Sequence, residues 1–189
     1  MGKCPQCGSF NSMVEESVHD EPVTKNAAFR GLTGRSAPRP INDVSGNEED
    51  RIPLPIGEFA RVLGGGIVPG SIVLVGGDPG IGKSTLMLQM AMEMASTQRI
   101  LYVSGEESER QIKMRALRLQ SKDKNDSLPA NLLLVTETNL EVIFNHINEV
   151  KPDLLIVDSI QTVYLSQLDS SAGSVSQVRE CSSQLRELA

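Results

Sequence analysis

From about residue 51 onward, short runs of consecutive apolar residues alternate with longer stretches in which apolar residues recur every three or four positions. Short apolar runs bounded by turn residues predict β-strands, and the longer spacing predicts amphipathic helices. Their alternation is typical of an α/β fold with a mostly parallel sheet. The predicted strands are residues 72–75, 100–103, 132–135 and 154–157.

Four helices are predicted around these strands. The first starts at the glycine-rich segment 76–82 and ends near Ala95, the second covers 108–119, the third covers 140–150, and the fourth starts near Ser174, whose hydroxyl can cap it. In the third helix, apolar residues fall at i, i+3, i+4, i+7 and i+10, which makes one stripe for packing on a sheet: Leu140, Ile143, Phe144, Ile147 and Val150. The fourth helix carries Val175, Val178, Leu185 and Leu188.

The first 50 residues have a different character. Residues 17–50 show no sustained period and are rich in Pro, Gly, Asn and charge, which predicts a flexible linker before a folded domain at 51–189. Within residues 1–16, Cys4 and Cys7 form a CxxC pair that is typical of half a zinc ribbon. Neither Cys181 nor His19 has a spacing that completes the site. An inert pair and a redox pair stay open as alternatives.

Composition and charge narrow the function classes. The chain is 39% hydrophobic and 22% charged, as in folded domains, and its net charge of -6 argues against a protein that coats nucleic acid through bulk charge. No apolar run approaches the roughly 20 residues that cross a bilayer, so we expect a cytoplasmic protein with no membrane partner. A local cluster of cations accompanies the second predicted helix, where DNA contact and a solvated face both fit: Arg110, Lys113, Arg115, Arg118, Lys122 and Lys124.

The segment GGDPGIGKST, residues 76–85, carries the strongest chemical signal. It satisfies the phosphate-loop pattern GxxxxGK[ST] between a predicted strand and a predicted helix, where backbone N–H groups and the helix dipole hold phosphates. Lys83 is expected to reach the β- and γ-phosphates, and Ser84 to bind Mg²⁺. The alternative is a glycine-rich turn without a ligand. The predicted nucleotide contacts are Gly77, Asp78, Pro79, Gly80, Ile81, Gly82, Lys83, Ser84 and Thr85.

Acidic residues follow two other predicted strands. Four apolar residues precede Asp158 in LLIVDS, a Walker B pattern that predicts a carboxylate for the magnesium shell, with Ser159 as its hydrogen-bond partner. Glu106 and Glu107 follow the strand at 100–103, and Glu106 is the candidate base for the attacking water. Alternatively, both glutamates are first-turn acids favoured by the dipole of the next helix. The predicted catalytic set for ATP hydrolysis is Lys83, Glu106 and Asp158.

Several motifs in one order resemble the RadA/Sms family of bacterial DNA repair proteins, a branch of the RecA-like ATPases. They are RVLGGGIVPGSIVLVGGDPGIGKSTLMLQMA, ILYVSGEES, LLIVDSIQT and GSVSQVRE, while CPQCGSFNSMVEE resembles the second half of the family's four-cysteine zinc finger. The resemblance implies a RecA-like P-loop core and a DNA-dependent ATPase that processes recombination intermediates by branch migration. Its implied cofactors are ATP, Mg²⁺ and Zn²⁺, and its implied partners are DNA, the recombinase RecA and further copies in a hexamer.

The same resemblance assigns residue roles and shows departures. It makes Glu106 the catalytic glutamate, Asp158 the metal-linked aspartate and residues 165–173 a DNA-binding loop, although this loop has no Lys or Arg to neutralise phosphate. Backbone amides or Gln167 are then the candidates for DNA contact. The family's first cysteine pair, its Lys-Asn-Arg-Phe-Gly motif and its protease-like domain do not occur in this sequence. We therefore expect truncation at both ends and an incomplete sheet.

Two other functions stay open at this point. One is a nucleotide-dependent interaction module that does not hydrolyse ATP, in keeping with the missing C-terminal parts. The other is a different RecA-like ATPase of the clock or replicative-helicase type, which would lack the half zinc finger.

Overall fold

The computed structural model describes residues 38, 40–43, 51–120 and 127–189. Within the predicted linker, Ile41–Asp43 form one exposed 3₁₀ turn. The predicted zinc-finger segment lies outside the described residues. In chain order, the helices and strands are β1 (Ile52–Pro53), α1 (Gly57–Val62), β2 (Gly66–Ile67), α2 (Lys83–Met94), β3 (Ile100–Ser104), α3 (Glu109–Leu119), β4 (Leu132–Thr136), α4 (Leu140–Val150), β5 (Leu154–Asp158) and α5 (Val175–Leu188).

Three parallel strands form the main sheet, in the order β4-β3-β5. The central strand β3 is buried at all five positions. Ser104, its last residue, lies opposite Thr136 of β4 and Asp158 of β5. The three strands therefore end together, and we call this line of residues 104, 136 and 158 the carboxyl edge. A separate antiparallel pair joins β1 to β2.

Each face of the sheet is covered, which explains the nearly continuous apolar runs in its strands. On one face, Ile100 and Tyr102 of β3 pack with apolar residues of α1, α2, α3 and the β1–β2 pair. On the other face, Leu101 and Val103 pack with α4, α5 and apolar residues of the segment 160–168. Successive residues of a strand point to opposite faces, so β3 contributes to both cores.

Most of the predicted elements are confirmed. Three of the predicted strands and all four helices occur with ends shifted by no more than one or two residues. Leu140 and Ile143 on the predicted stripe of α4 are completely buried. In α5, however, the fully buried positions are Gln177 and Cys181, whereas Val175 is 86% exposed. Among the described residues, none of the helices has the length and apolar character that crossing a bilayer requires.

The predicted strand at 72–75 is wrong. The structure has no regular secondary structure there, and Ile72 and Leu74 are 50% and 83% exposed. A β-branched apolar run supplies propensity only, because a parallel strand also needs a neighbouring strand for its hydrogen bonds and helices over both faces. In the part of the chain that the structure describes, β5 pairs with β3 alone, and the run at 72–75 pairs with no strand.

Candidate nucleotide-binding site

Residues 76–82 form a loop that leads into α2. Gly80 and Gly82 have φ angles of 78° and 102°, in the left-handed region that favours glycine. Gly82 is the N-cap of α2 and provides no side-chain hydrogen bond to the helix. The first backbone N–H groups of α2 are therefore not capped by a side chain, which is the arrangement that binds phosphate in other nucleotide-binding proteins.

Lys83, the first residue of α2, folds back over this loop. Its Nζ donates hydrogen bonds to the carbonyl oxygens of Gly77 at 2.8 Å and Asp78 at 2.9 Å. An ammonium group has three N–H donors, so one donor is not used by these two bonds. The loop thus holds a positive charge at the position where the motif requires one for a phosphate. Ser84 beside it is half-buried, and Thr85 is exposed.

Helix α2 packs in the core on one face of the sheet. The helix ends at Met94, and only five residues separate it from the start of β3 at Ile100. Leu88 and Ala91 are buried in the core that also contains Tyr102. A helix of this length spans about 18 Å, close to the length of a five-residue strand. A short connection of this kind is typical of a helix that runs antiparallel to the next strand, which would place the start of α2 towards the carboxyl edge.

Asp158 is the last residue of β5 and is half-buried. The hydroxyl of Tyr102, a residue only 1% exposed, donates a hydrogen bond to Asp158 Oδ2 at 2.7 Å. Burial and then this hydrogen bond raise the pKa of Tyr102 above its ordinary value of 10.0. The phenol therefore stays protonated and acts as the donor to the carboxylate.

Glu106 lies beside the Walker B residues. Ser159 Oγ donates a hydrogen bond to Glu106 Oε1 at 2.9 Å, so the exposed Glu106 carboxylate is attached to the residue that follows Asp158. Glu106 and Asp158 are thus brought together at the carboxyl edge. Lys83 forms no hydrogen bond or ion pair with either carboxylate within the described ranges, and its hydrogen bonds go to its own loop.

Glu107 has a different environment from its neighbour. It forms an ion pair with Arg115 of α3, in which the Arg and Glu side chains are 17% and 32% exposed. The helix itself starts at Glu109, after an N-cap at Ser108 that forms a capping box with Gln111. Both Glu106 and Glu107 therefore precede the first turn of α3. The alternative interpretation of the two as first-turn acids is wrong, because Glu109 occupies that position.

The donor set can be tested against Mg²⁺, which prefers oxygen ligands and keeps several waters. Ser84 and Asp158 offer a hydroxyl and a carboxylate oxygen. The described residues contain no group of three or more His, Cys, Asp or Glu that could hold a metal by themselves. A magnesium ion bound with a nucleotide takes most of its ligands from water and phosphates and only one or two from the protein. Cys4 and Cys7, the predicted zinc ligands, lie outside the described residues.

A family model described as an AAA domain matches residues 47–189. "DNA repair protein RadA" of Bacillus subtilis (strain 168) is 48% identical over 191 aligned residues, which cover all of this chain. The chain belongs to the RadA/Sms family of RecA-like ATPases.

Other members of this family match equally well. The proteins of the same name from Listeria monocytogenes serovar 1/2a and Streptococcus pyogenes serotype M6 are 50% and 46% identical, again over the whole of this chain. The chain spans 40% of the length of each of these three relatives. Family membership decides against the clock-type and replicative alternatives.

The loop at 165–173, the predicted DNA-binding loop of the family, is anchored by a buried glutamine of α5. Gln177 Oε1 accepts a hydrogen bond from the Leu165 N–H at 2.9 Å, and its Nε2 donates to the carbonyls of Leu165 at 3.1 Å and Ser170 at 2.9 Å. The side chain of Gln167, a candidate DNA contact, donates to Glu141 Oε1 at 3.1 Å. The first half of the loop is therefore held against α5 and α4.

The cations that the sequence places on α3 have different environments. Arg110, Lys113 and Arg118 are exposed, while Arg115 pairs with Glu107. Lys122 and Lys124 lie outside the described residues. Only the first three therefore provide an exposed basic face on α3.

Two residues next to the carboxyl edge were not predicted from the sequence. One is Tyr102, for which the signal was a single aromatic hydroxyl in an otherwise aliphatic strand. The other is Gly105, where a Cβ would lie 2.0 Å from Thr162 Oγ1. Gly105 permits the turn after β5 to approach the end of β3, and its N–H donates to the Asp158 carbonyl at 3.1 Å. An open cleft of about 230 Å³ lies here, lined by residues 104–107 and 136–138.

Proposed function

We propose that this chain binds ATP with Mg²⁺ and hydrolyses it in a DNA-dependent manner during DNA repair. The observation that carries the proposal is the ammonium group of Lys83, which two backbone carbonyls hold over a glycine-rich loop. The proposal requires the start of α2 to lie near Glu106 and Asp158. Further support comes from relatives at 46–50% identity that are named DNA repair protein RadA.

Each residue has a separate role in this proposal. The backbone of residues 77–85 and the Lys83 ammonium hold the phosphates. Ser84 and Asp158 would hold Mg²⁺, which when bound neutralises phosphate charge during phosphoryl transfer. Glu106 accepts a proton from the attacking water, and the Ser159 hydroxyl keeps that carboxylate in position. These roles need both carboxylates at the carboxyl edge, close to the start of α2.

We also propose, for the intact protein, the further properties that the family resemblance implies. They are branch migration of recombination intermediates, cooperation with the recombinase RecA, a hexameric assembly and a cytoplasmic location. DNA would contact the loop at 165–173 through backbone amides or through Gln167 after release from Glu141. The exposed cations Arg110, Lys113 and Arg118 are a second candidate surface, which long-range attraction to phosphate would favour.

Nucleotide binding is tested by titrating a fluorescent ATP analogue, with Mg²⁺, against the chain and its Lys83→Ala variant. Loss of charge-assisted hydrogen bonds to phosphate should weaken binding by about 10- to 100-fold. Lys113→Ala is the matched control, because it removes the same charge from an exposed position of α3. Equal affinities of the wild type and Lys83→Ala would contradict the site.

A second candidate function is nucleotide-dependent interaction without hydrolysis. It is favoured by the exposed, unpaired run at 72–75, which leads directly into the phosphate loop and leaves that loop without a strand to support it. ATP turnover stimulated by single-stranded DNA and lost in Glu106→Gln would establish the enzyme. Nucleotide binding that persists without any turnover would establish the interaction module.

The half zinc ribbon stays a separate proposal. With only Cys4 and Cys7 as ligands, one copy of the chain should hold zinc weakly, because structural zinc sites use four ligands. Zinc content after dialysis, compared with that of Cys4→Ser, measures this. Tightly held zinc at one ion per monomer would contradict the proposal.

A further inference from the structure

Tyr102 is an exception in the strand that contains it. Its neighbours in β3 are aliphatic, and the residue is 1% exposed, so an aliphatic or Phe side chain would satisfy the core. A buried hydroxyl costs free energy unless it forms a hydrogen bond. The Tyr102 hydroxyl does so with Asp158 Oδ2, at 2.7 Å. The Tyr102 hydroxyl therefore hydrogen-bonds the Asp158 carboxylate, while the ring packs in the core.

The sheet register explains why these two groups meet. Tyr102 lies opposite Ile156 of β5, and Asp158 follows two residues later on the same face of the sheet. The long tyrosine side chain reaches along this face to the end of the neighbouring strand. Its ring is packed in the core formed with α2 and α3, which limits the movement of the hydroxyl.

We propose that Tyr102 is a positioning residue for the metal-linked carboxylate: its hydroxyl holds Oδ2 of Asp158 and leaves Oδ1 for the shell of a nucleotide-bound Mg²⁺. Among the described residues, Oδ1 accepts no hydrogen bond. A carboxylate with one oxygen fixed loses the rotational freedom that metal binding would otherwise have to remove. This inference rests on the proposed function, because it assumes that Asp158 serves a magnesium nucleotide.

The chain offers an internal probe for this contact. It contains two tyrosines and no tryptophan. Within the described structure, Tyr164 uses its backbone but not its hydroxyl in hydrogen bonds. The Tyr164→Phe variant therefore leaves Tyr102 as the single emitter, and emission from a phenol responds to the charge of a carboxylate bonded to it.

In Tyr164→Phe, ADP with Mg²⁺ should change the tyrosine emission, whereas ADP with EDTA should leave it unchanged. The expected difference arises because a cation beside Asp158 withdraws charge from the carboxylate to which the phenol donates. Emission that does not respond to Mg²⁺ and ADP, in a sample shown to bind the fluorescent ATP analogue, would overturn the proposal. This measurement keeps Tyr102 in place, so it does not depend on the folding of a core variant.

A second experiment measures the Mg²⁺ concentration at which binding of the fluorescent ATP analogue is half-maximal. Tyr102→Phe should raise this midpoint about three- to tenfold, as expected for one hydrogen bond to a charged group, and should leave binding in EDTA unchanged. Tyr164→Phe is the control and should not move the midpoint. In an Asp158→Asn background, Tyr102→Phe should cause no further shift.

The outcomes separate the two proposals. A wild-type chain that binds no nucleotide overturns both of them. Mg²⁺-dependent binding with the same midpoint in Tyr102→Phe and wild type overturns the positioning role alone. An equal loss of binding with and without Mg²⁺ would mean that the hydroxyl only supports the fold, which also overturns it.

Discussion

Ser159 donates a hydrogen bond to Glu106, with 2.9 Å between Ser159 Oγ and Glu106 Oε1. The bond joins the turn after β5 to the turn after β3, two segments separated by more than 50 residues of sequence. It attaches the candidate base to the residue next to the candidate metal-linked carboxylate. It also distinguishes Glu106 from Glu107, whose carboxylate is engaged by Arg115.

Glu106→Gln should abolish turnover and spare nucleotide binding. The amide has nearly the same size, and its oxygen can still accept the bond from Ser159, but it is not a base. Loss of a general base typically costs about 100-fold or more in rate, which an assay of ATP turnover with single-stranded DNA would detect. Glu109→Gln, at an exposed position of α3, should turn over normally. Unchanged turnover in Glu106→Gln would exclude this residue as the base.

Glu107→Gln should reduce stability. Arg115 Nη1 is buried and has no hydrogen-bond partner within the described residues, so the guanidinium depends on Glu107 for compensation. Removing the partner charge leaves a partly buried cation, and we expect a loss of about 1–2 kcal/mol after allowing for the solvent that reaches both groups. Urea denaturation measures the difference, with Glu109→Gln as the exposed control. Equal midpoints for Glu107→Gln and Glu109→Gln would contradict the role of the pair.

Gln177→Ala should release the loop at 165–173. The variant removes the partner of the Leu165 N–H and of three loop carbonyls, and the Gln177 residue that provides these bonds is 1% exposed. Leaving such groups unpaired costs about 2–3 kcal/mol in total. Thermal unfolding and limited proteolysis of the loop measure the effect. Gln184→Ala on the same helix, whose amide bonds to the exposed Glu180 and to no other described residue, should cost under about 0.5 kcal/mol.

Gly105→Ala should be poorly tolerated. A methyl group there would lie 2.0 Å from Thr162 Oγ1 and 2.6 Å from Thr162 Cβ, so the turn after β5 would have to move. We expect about 1–3 kcal/mol of destabilisation from this overpacking, together with weaker Mg²⁺-dependent nucleotide binding because Asp158 precedes that turn. Gly57→Ala is the control, since a Cβ at Gly57 meets no atom within 4 Å. A Gly105→Ala variant as stable as Gly57→Ala would contradict the close approach.

Glu137 predicts a pH dependence. Its carboxylate accepts the backbone N–H groups of Asn139 and Thr138, and these bonds lower its pKa below the ordinary value of 4.5. A carboxyl group whose pKa is lower in the folded state stabilises the fold at pH values above its unfolded-state pKa. This stabilisation is lost as the pH falls through the folded-state pKa. Wild type should therefore exceed Glu137→Gln in stability at pH 7 and lose that advantage in acid. An advantage that persists at acid pH would contradict this assignment.

The spacing of apolar residues predicted the strands and helices that bury one or both of their faces in the core. The strands β3, β4 and β5 read as short apolar runs because helices cover both of their faces, and α4 carries its apolar stripe for the same reason. The run at 72–75 has the same composition, yet it forms no strand, since pairing depends on a neighbour that composition does not provide. The two short strands β1 and β2 and the helix α1 had no periodic signal of sufficient length.

The sequence by itself determined the glycine-rich loop before α2, because the motif depends on local properties: glycine at positive φ, a lysine at the helix start and a hydroxyl beside it. It also determined family membership and the strand that ends in Asp158. Only the tertiary structure decided that Tyr102 holds Asp158, that Arg115 engages Glu107 and that Ser159 engages Glu106. Two of these contacts join residues more than 50 positions apart, and the third depends on how α3 leaves the sheet. Such contacts follow from strand register and helix packing, which bring together side chains that no local pattern connects.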